Sequence, residues 1–394
     1  MRFRHPDGSV VHLSYGSNVH PAESVDGIVE QLHRYAGGVR SALDADLLGV
    51  GLWLPAPAAA ELAHDPAALD RVRRVLREER LEIVTVNAFP YRGFHDPVVK
   101  KAVYHPDWTE PARLDFTLDC ARVLARLLPD EADRGSISTL PLGWRSPWDA
   151  DRDRAALDNL DRLADGLAHV TADTGRTVRV GLEPEPGCVV ETVGDAVTRL
   201  TGLDPAHVGV CVDTCHLATA FEDGPQSLAR LADAGLGVVK AQASAALHAE
   251  DPSDPATRAA LASYAEDRFL HQTRELTESR VDGRDDLDEA LAGRSALPGR
   301  RPWRVHFHVP LHADPQPPLS STRTHLDASL AGLVGGPHPV TDHIEVETYT
   351  WSVLPPALRP DDDAGLVAGI GAEVSWVRDR LLALGLKVLE GAPA

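Results

Sequence analysis

The chain has 394 residues, a formal net charge of −20 with histidine neutral, and a hydrophobic fraction of 43%. That is a globular composition, with enough apolar residues for a large core. So acidic a surface repels a phosphate backbone, which excludes nucleic acid as the expected partner.

No run reaches the length of a membrane-spanning helix. MRFRHPDGSV carries two arginines but no apolar stretch behind them, so no signal peptide is expected and the protein is read as cytoplasmic. Four cysteines (Cys120, Cys188, Cys211 and Cys215) are too few for a disulfide framework, and the last two are wrongly spaced for a zinc ribbon.

From the N-terminus, RFRHPDGSVVHLSYG predicts a hairpin turning at Asp7-Gly8, whose second arm runs on as a first barrel strand. Further strands are predicted at residues 47–55, 81–90, 136–143, 178–186, 208–216, 237–244 and 343–351. Helical periodicity fills the gaps, as in PAALDRVRRVLREE, ARLDFTLDCARVLARLL and AALDNLDRLADGLAHVTADT, and a last helix lies near AGLVAGIGAEVSWVRDRLLAL.

Eight β-then-α units predict an α/β protein with a closed (β/α)₈ TIM barrel. The open doubly wound alternative is disfavoured, because no glycine-rich phosphate turn follows the first strand. The expectation is one domain over 1–394, interrupted after the seventh strand by a polar insertion at 245–303 that acts as a lid or substrate-shaping arm. Within the insertion, TRAALASYAEDRFLHQTREL reads as helical and DGRDDLDEALAGRSALPGRR as a loop. WRVHFHVPL (303–311) follows as an additional strand.

Barrels keep their active sites at the C-terminal ends of the strands. The ends here are rich in polar and aromatic residues: Tyr15, Asn18 and His20; Trp53; Asn87, Phe89 and Tyr91; Glu183 and Glu185; Asp213 and His216; Lys240, Gln242 and Ser244; Glu345 and Glu347. His306 and His308 lie on the additional strand. Period-two spacing puts Glu183 with Glu185, and Glu345 with Glu347, on one side of their strands.

Carboxylates facing apolar helices would be unsatisfied, so they are expected in the mouth, where their repulsion calls for a divalent cation or a shared proton. Glu183, Asp213 and Glu347 with one histidine form a mixed oxygen and nitrogen set suited to Mn²⁺, Mg²⁺, Co²⁺ or Zn²⁺. For Glu185 and Glu345 a salt bridge is an equally good reading, and Lys240 also fits a role neutralising the acidic mouth. In CVDTCH the functional pair is then Asp213 and His216, with Cys211 and Cys215 as small packing residues.

At this point the strand ends become recognisable. CVDTCH followed by LATAFED resembles the sixth-strand motif of the xylose-isomerase-like barrel superfamily, which contains ketose 3-epimerases, inosose dehydratases, hexose isomerases and endonuclease IV. That resemblance implies Asp213 as a metal ligand and His216 as a ligand to metal or substrate. GLEPEPG is similar to the fifth-strand segment and EVET to the eighth, which implies Glu183 and Glu347 as ligands. A narrower likeness is carried by HLSYGSNVHPAE, VNAFPYRGFH, VYHPDW, STLPLGW, LEPEPGC, HFHVP and VETYTW. Together these resemble the EboE family of metabolite traffic proteins, which implies a small polyol- or cyclitol-like metabolite as partner, alongside other enzymes of one pathway.

Two departures matter. Trp53 and Asn87 stand where endonuclease IV has the histidines of its trinuclear cluster, which disfavours phosphodiester cleavage. Lys240 and Gln242 stand where the epimerases have a metal-binding histidine, so His308 or His306 is expected to supply the imidazole.

The expected function is a metal-dependent sugar- or cyclitol-type isomerase or epimerase working through an enediolate, in biosynthesis or export of a secondary metabolite. Glu183, Glu347 and Lys240 are the expected catalytic residues. Glu183, Asp213, His216, His308 and Glu347 are the expected metal ligands. Asn18, His20, Trp53, Asn87, Tyr91, Glu185, Gln242, His306, Glu345 and Trp351 are expected around the substrate. A non-catalytic metabolite carrier is the alternative, and an endonuclease IV-like phosphodiesterase a third.

Overall fold

In the computed structural model, which describes residues 1–278, 280–294 and 296–389, eight parallel strands close into a ring. They are β1 (Val10–Gly16), β2 (Leu48–Trp53), β3 (Leu81–Asn87), β4 (Arg134–Thr139), β5 (Thr177–Leu182), β6 (Val208–Asp213), β7 (Val238–Ala243) and β8 (His343–Val346). Each pairs with its neighbour in sequence. The ring closes where β8 lies parallel to β1, with His343 opposite His12 and Val346 opposite Tyr15. Parallel strands covered by helices are buried on both faces, which is why they read as near-continuous apolar runs.

Helices fill the crossovers, among them Pro66–Glu78, Pro111–Leu127, Ala150–Thr174, Arg323–Val334 and Asp363–Ala383. This is the (β/α)₈ TIM barrel expected. At its N-terminal end Arg2–Arg4 pairs antiparallel with β1, and the turn between them holds Gly8 at φ +96°, a left-handed conformation that glycine adopts without strain. Lys387–Val388 adds an antiparallel strand to the hairpin's outer edge.

The insertion differs from its expected form. From Leu247 to Ser321 the chain builds a five-stranded antiparallel sheet, so the excursion runs past residue 303 and returns to the barrel through helix Arg323–Val334. The sheet's order is Val281–Arg284, Thr273–Leu276, Trp303–Val305, Leu247–Ala249 and Leu319–Ser321. The expected helix is confined to Pro255–Ala262, and its last four residues, Thr273–Leu276, are a strand. The expected loop holds a strand at Val281–Arg284 and a helix at Leu287–Leu291.

The additional strand stops at Val305, not 311. Phe307 N donates back to Val305 O at 2.8 Å, a three-residue turn that ends the ladder, and Pro310 has no N–H to resume it. Residues 279, 295 and 390–394 of the expected spans lie outside the described residues.

Candidate active site

Each site residue is placed by the element it ends. Asp213 is the last residue of β6 and the N-cap of the short helix Thr214–Thr219, where its Oδ1 accepts from His216 N at 2.9 Å. The same oxygen accepts from Ser244 Oγ at 2.8 Å, just beyond β7. One residue thus caps the helix, fixes His216 one turn in, and is left with Oδ2 for other work. Glu183 follows β5 and Glu347 follows β8.

One carboxylate oxygen from each of Glu183, Asp213 and Glu347 lies within 4.8 Å of the other two, and all three residues are buried. Asn18 Nδ2 and Asn87 Nδ2 each donate to Glu347 Oε1 at 2.9 Å. His308, from the segment after Val305, donates from Nδ1 to Glu347 O at 2.7 Å and points Nε2 toward Asp213 Oδ2, 4.0 Å away.

Three atoms of this cluster, Glu183 Oε2, Asp213 Oδ2 and His308 Nε2, are buried without a hydrogen-bond partner. Orphaned acceptors of this kind are costly in a protein interior unless a cation meets them. The donor set therefore fits a divalent metal ion of the hard or borderline class.

The electrostatics agree. Burial, reinforced by Glu347 and Asp213, pushes the Glu183 carboxyl well above its usual range. Burial and the charge of Asp213 do the same to Glu347. Burial would also raise Asp213, but His216 and His308 hold it below its ordinary value.

Glu185 is raised by burial to about 8, opposed by a hydrogen bond from Tyr104 Oη at 2.9 Å to its Oε1. Two carboxyls poised to keep protons beside one held ionised are a starting point for proton transfer.

Glu183, Glu185 and Glu347 open onto a cavity at the barrel mouth. Asn18, Asn87, Glu183, Glu185, His216, His306 and Glu347 form its polar floor. Phe89, Phe94, Val99, Val103, Phe269 and Tyr349 form apolar walls. Lys100 lines it too, but its Nζ lies 2.5 Å from Asp286 and donates to Glu266 O.

The model of the family described as "Xylose isomerase-like TIM barrel" matches residues 39–271. The chain belongs to that family.

No curated protein has a significantly similar sequence. A putative sugar phosphate isomerase/epimerase from Anabaena variabilis is 14% identical at a TM-score of 0.52, over 96% of this chain and all of that one (100%). D-allulose 3-epimerase from Methylomonas sp., in complex with D-allulose, is 13% identical at 0.47, covering 94% of this chain and 97% of that one. A xylose isomerase-like TIM barrel protein from Mycobacterium smegmatis, in complex with magnesium, is 15% identical at 0.47, covering 96% and 94%. At such identities the likeness is one of fold.

Not all expected residues reach the mouth of this xylose isomerase-like barrel. Lys240 is fully buried lower in the barrel, with Nζ 2.8 Å from Glu345 Oε2, and both side chains are 0% exposed. The carboxylate of Glu345 occupies the space beside Gly51, where a Cβ would lie 2.0 Å from Oε2. Gln242 meets Cys211 Sγ at 3.5 Å in the same interior layer.

His20 is bonded to Tyr15 Oη and stacked on Tyr35, with ring centroids 4.2 Å apart. Trp53 sits behind Phe94 and donates to Pro90 O. Tyr91 packs edge-on against Phe116, and Trp351 bonds Glu373 and stacks on His312 at a separate cleft. Cys211 and Cys215 are buried free thiols.

The cavity also uses residues that strand-end reasoning passes over. Tyr104 and Phe94 come from the long loop after β3, Phe269 from the insertion, and Tyr349 from just past Glu347. VYHPDW and VETYTW carry part of the sequence likeness, but nothing in them marks a side chain that turns inward.

Proposed function

We propose that this chain is a metal-dependent isomerase or epimerase of a sugar- or cyclitol-type polyol, moving a proton at the carbon beside a carbonyl. What carries the reading is the convergence of Glu183, Asp213, Glu347 and His308, with three of their buried atoms unpartnered. A divalent cation held by these four would supply Lewis-acid polarisation of the carbonyl and its neighbouring hydroxyl.

Glu183 and Glu347 then flank the reacting carbon. One, ionised, takes its proton and the other, protonated, returns one to the opposite face. Asn18 and Asn87 fix Glu347 Oε1 and leave its other oxygen for that exchange. Asp213 stays ionised. Lys240, locked on Glu345, positions the carboxylate layer beneath and does not touch substrate.

The walls favour a substrate with an apolar ring face. Lys100 is the one lining cation among the described residues and is already paired, which favours an unphosphorylated substrate. The motifs set out above support the finer reading: a cytoplasmic enzyme of a secondary-metabolite pathway of the EboE kind, working beside the pathway's other enzymes. No described helix is long and apolar enough to cross a membrane.

The test is solvent exchange. Mn²⁺-loaded protein in D₂O, incubated with a panel of ketoses, inososes and valiolone, is expected to place one deuterium on the carbon beside the carbonyl of its substrate. Tight binding of a panel member with no exchange would replace this reading with the carrier.

A further inference from the structure

Beside the carboxylate cluster, three histidine rings show which of their nitrogens carries hydrogen. His216 Nδ1 is 2.9 Å from Pro184 O, and His308 Nδ1 is 2.7 Å from Glu347 O. Carbonyl oxygens only accept, so each of these Nδ1 atoms donates.

His306 Nδ1 is 2.7 Å from Gln272 Oε1. The amide's orientation is set by its other end, where Nε2 donates to Pro186 O at 2.8 Å and to Tyr104 Oη at 3.0 Å. His306 Nδ1 therefore donates as well. A neutral ring with its hydrogen on Nδ1 has a bare lone pair on Nε2.

The lone pairs of two of these rings meet. His216 Nε2 and His306 Nε2 are 3.0 Å apart, and Glu185 Oε2 is 3.1 Å from His216 Nε2. Three electron-pair donors face one another in a buried pocket that opens on the cavity. Tetrahedral zinc with bonds of 2.0–2.1 Å spaces its ligand atoms by about 3.3 Å, close to these separations.

The outer contacts are those that hold metal ligands in place. Each imidazole donates its other N–H to a carbonyl-type oxygen, and Glu185 Oε1 accepts from Tyr104.

We infer that Glu185, His216 and His306 bind a second divalent cation of the zinc class, with a fourth position open to the cavity for water or a substrate hydroxyl. This site adjoins the Glu183, Asp213, Glu347 and His308 set, with His216 Nε2 3.9 Å from Asp213 Oδ1, but uses other ligand atoms and stands whether or not the epimerase reading holds. The barrel supplies Glu185 and His216, whereas the insertion supplies His306 and its orienting partner Gln272. The cation therefore clamps the insertion's sheet onto the mouth. Its rival is a single proton on His216 Nε2, shared between His306 and Glu185.

The test uses the full chain, stripped with chelator, reloaded with Zn²⁺, desalted and assayed for zinc per chain, with circular dichroism to verify folding of every variant. The wild type is expected to hold two zinc ions. His306→Gln and Glu185→Gln are each expected to keep one, and to expose the insertion to limited proteolysis. Glu347→Gln is expected to keep one and leave the insertion protected. One zinc in the wild type, unchanged in His306→Gln and Glu185→Gln, would overturn the inference in favour of the shared proton and leave the carboxylate site standing. Zinc content unaffected by Glu347→Gln but lowered by the other two would remove the carboxylate site and leave this one.

Discussion

The barrel buries carboxylates at both ends and treats them in opposite ways. At the N-terminal end, Glu82 of β3 is met by Arg2 Nε at 2.8 Å and His12 Nδ1 at 3.3 Å, so the chain provides its own counter-charge. Midway, Lys240 and Glu345 neutralise one another. At the C-terminal end, Glu183, Asp213 and Glu347 converge with imidazoles and amides beside them, and three ligand-type atoms go unpartnered. A buried charge must be compensated by something. Where the sequence withholds the cation, an external one is called for.

Charge removal in the middle layer should cost most. Lys240→Met strands Glu345 in the interior and is expected to destabilise the fold by about 3–5 kcal/mol, lowering the melting temperature by roughly 4–6 °C. Pairing it with Glu345→Leu should restore most of that loss, a coupling that thermal melts of the four proteins would measure.

The two ends should then respond to the same substitution with opposite sign. Burial raises Glu82, but its bond with His12, the N-terminal charge and Arg2 bring it down to about 2. Its contribution is therefore complete above the unfolded value near 4.5 and is lost as pH falls toward 2, on the order of 3 kcal/mol in all. Glu82→Gln should lose a similar amount at pH 7 and flatten that acid limb. At the mouth, Glu183→Gln relieves repulsion and should stabilise the metal-free protein by about 1 kcal/mol above pH 7 while abolishing binding at the carboxylate site.

The pH dependence at the mouth also runs the other way. Glu185, raised by burial to about 8, stabilises the metal-free fold below pH 4.5, and that stability is lost as pH rises through 8. Zinc loading, which replaces the proton, should remove the alkaline limb from a pH series of urea melts. The smallest effect is expected from Asn18→Ala. It takes one of two donors from Glu347 Oε1 and should weaken Mn²⁺ binding about tenfold with little change in stability.

Much of this was legible in the sequence because a barrel writes its pattern plainly. Strands buried on both faces are apolar runs, so Glu183, Asp213 and Glu347 stand out where the runs stop. Period two alone could not tell Glu345 from Glu347. Both point inward, but one lies a layer deeper, and only closure of the ring brings Lys240 beneath it.

The insertion was the least legible. Its strands are three or four residues long and mostly half-polar, too short to establish a period. HFHVP looked like a continuing strand because its alternation is good. The turn of Phe307 back onto Val305 is what frees His306 and His308 to face two different clusters. Glu373 was missed as well. It lies in the C-terminal helix, far from any strand end, yet accepts from Leu311 N, Thr348 Oγ1 and Trp351 Nε1 and ties that helix to the segment bearing His308.

The central claim is that the carboxylates at the barrel mouth await a cation. Calorimetric titration of Mn²⁺ into chelator-stripped wild type, Asp213→Asn and Glu347→Gln tests it most directly. The account predicts saturable binding in the wild type that tightens as pH rises, since Glu183 and Glu347 must give up protons to bind, and that is lost or greatly weakened in both variants. Equal binding in all three, or none in the wild type, would contradict it.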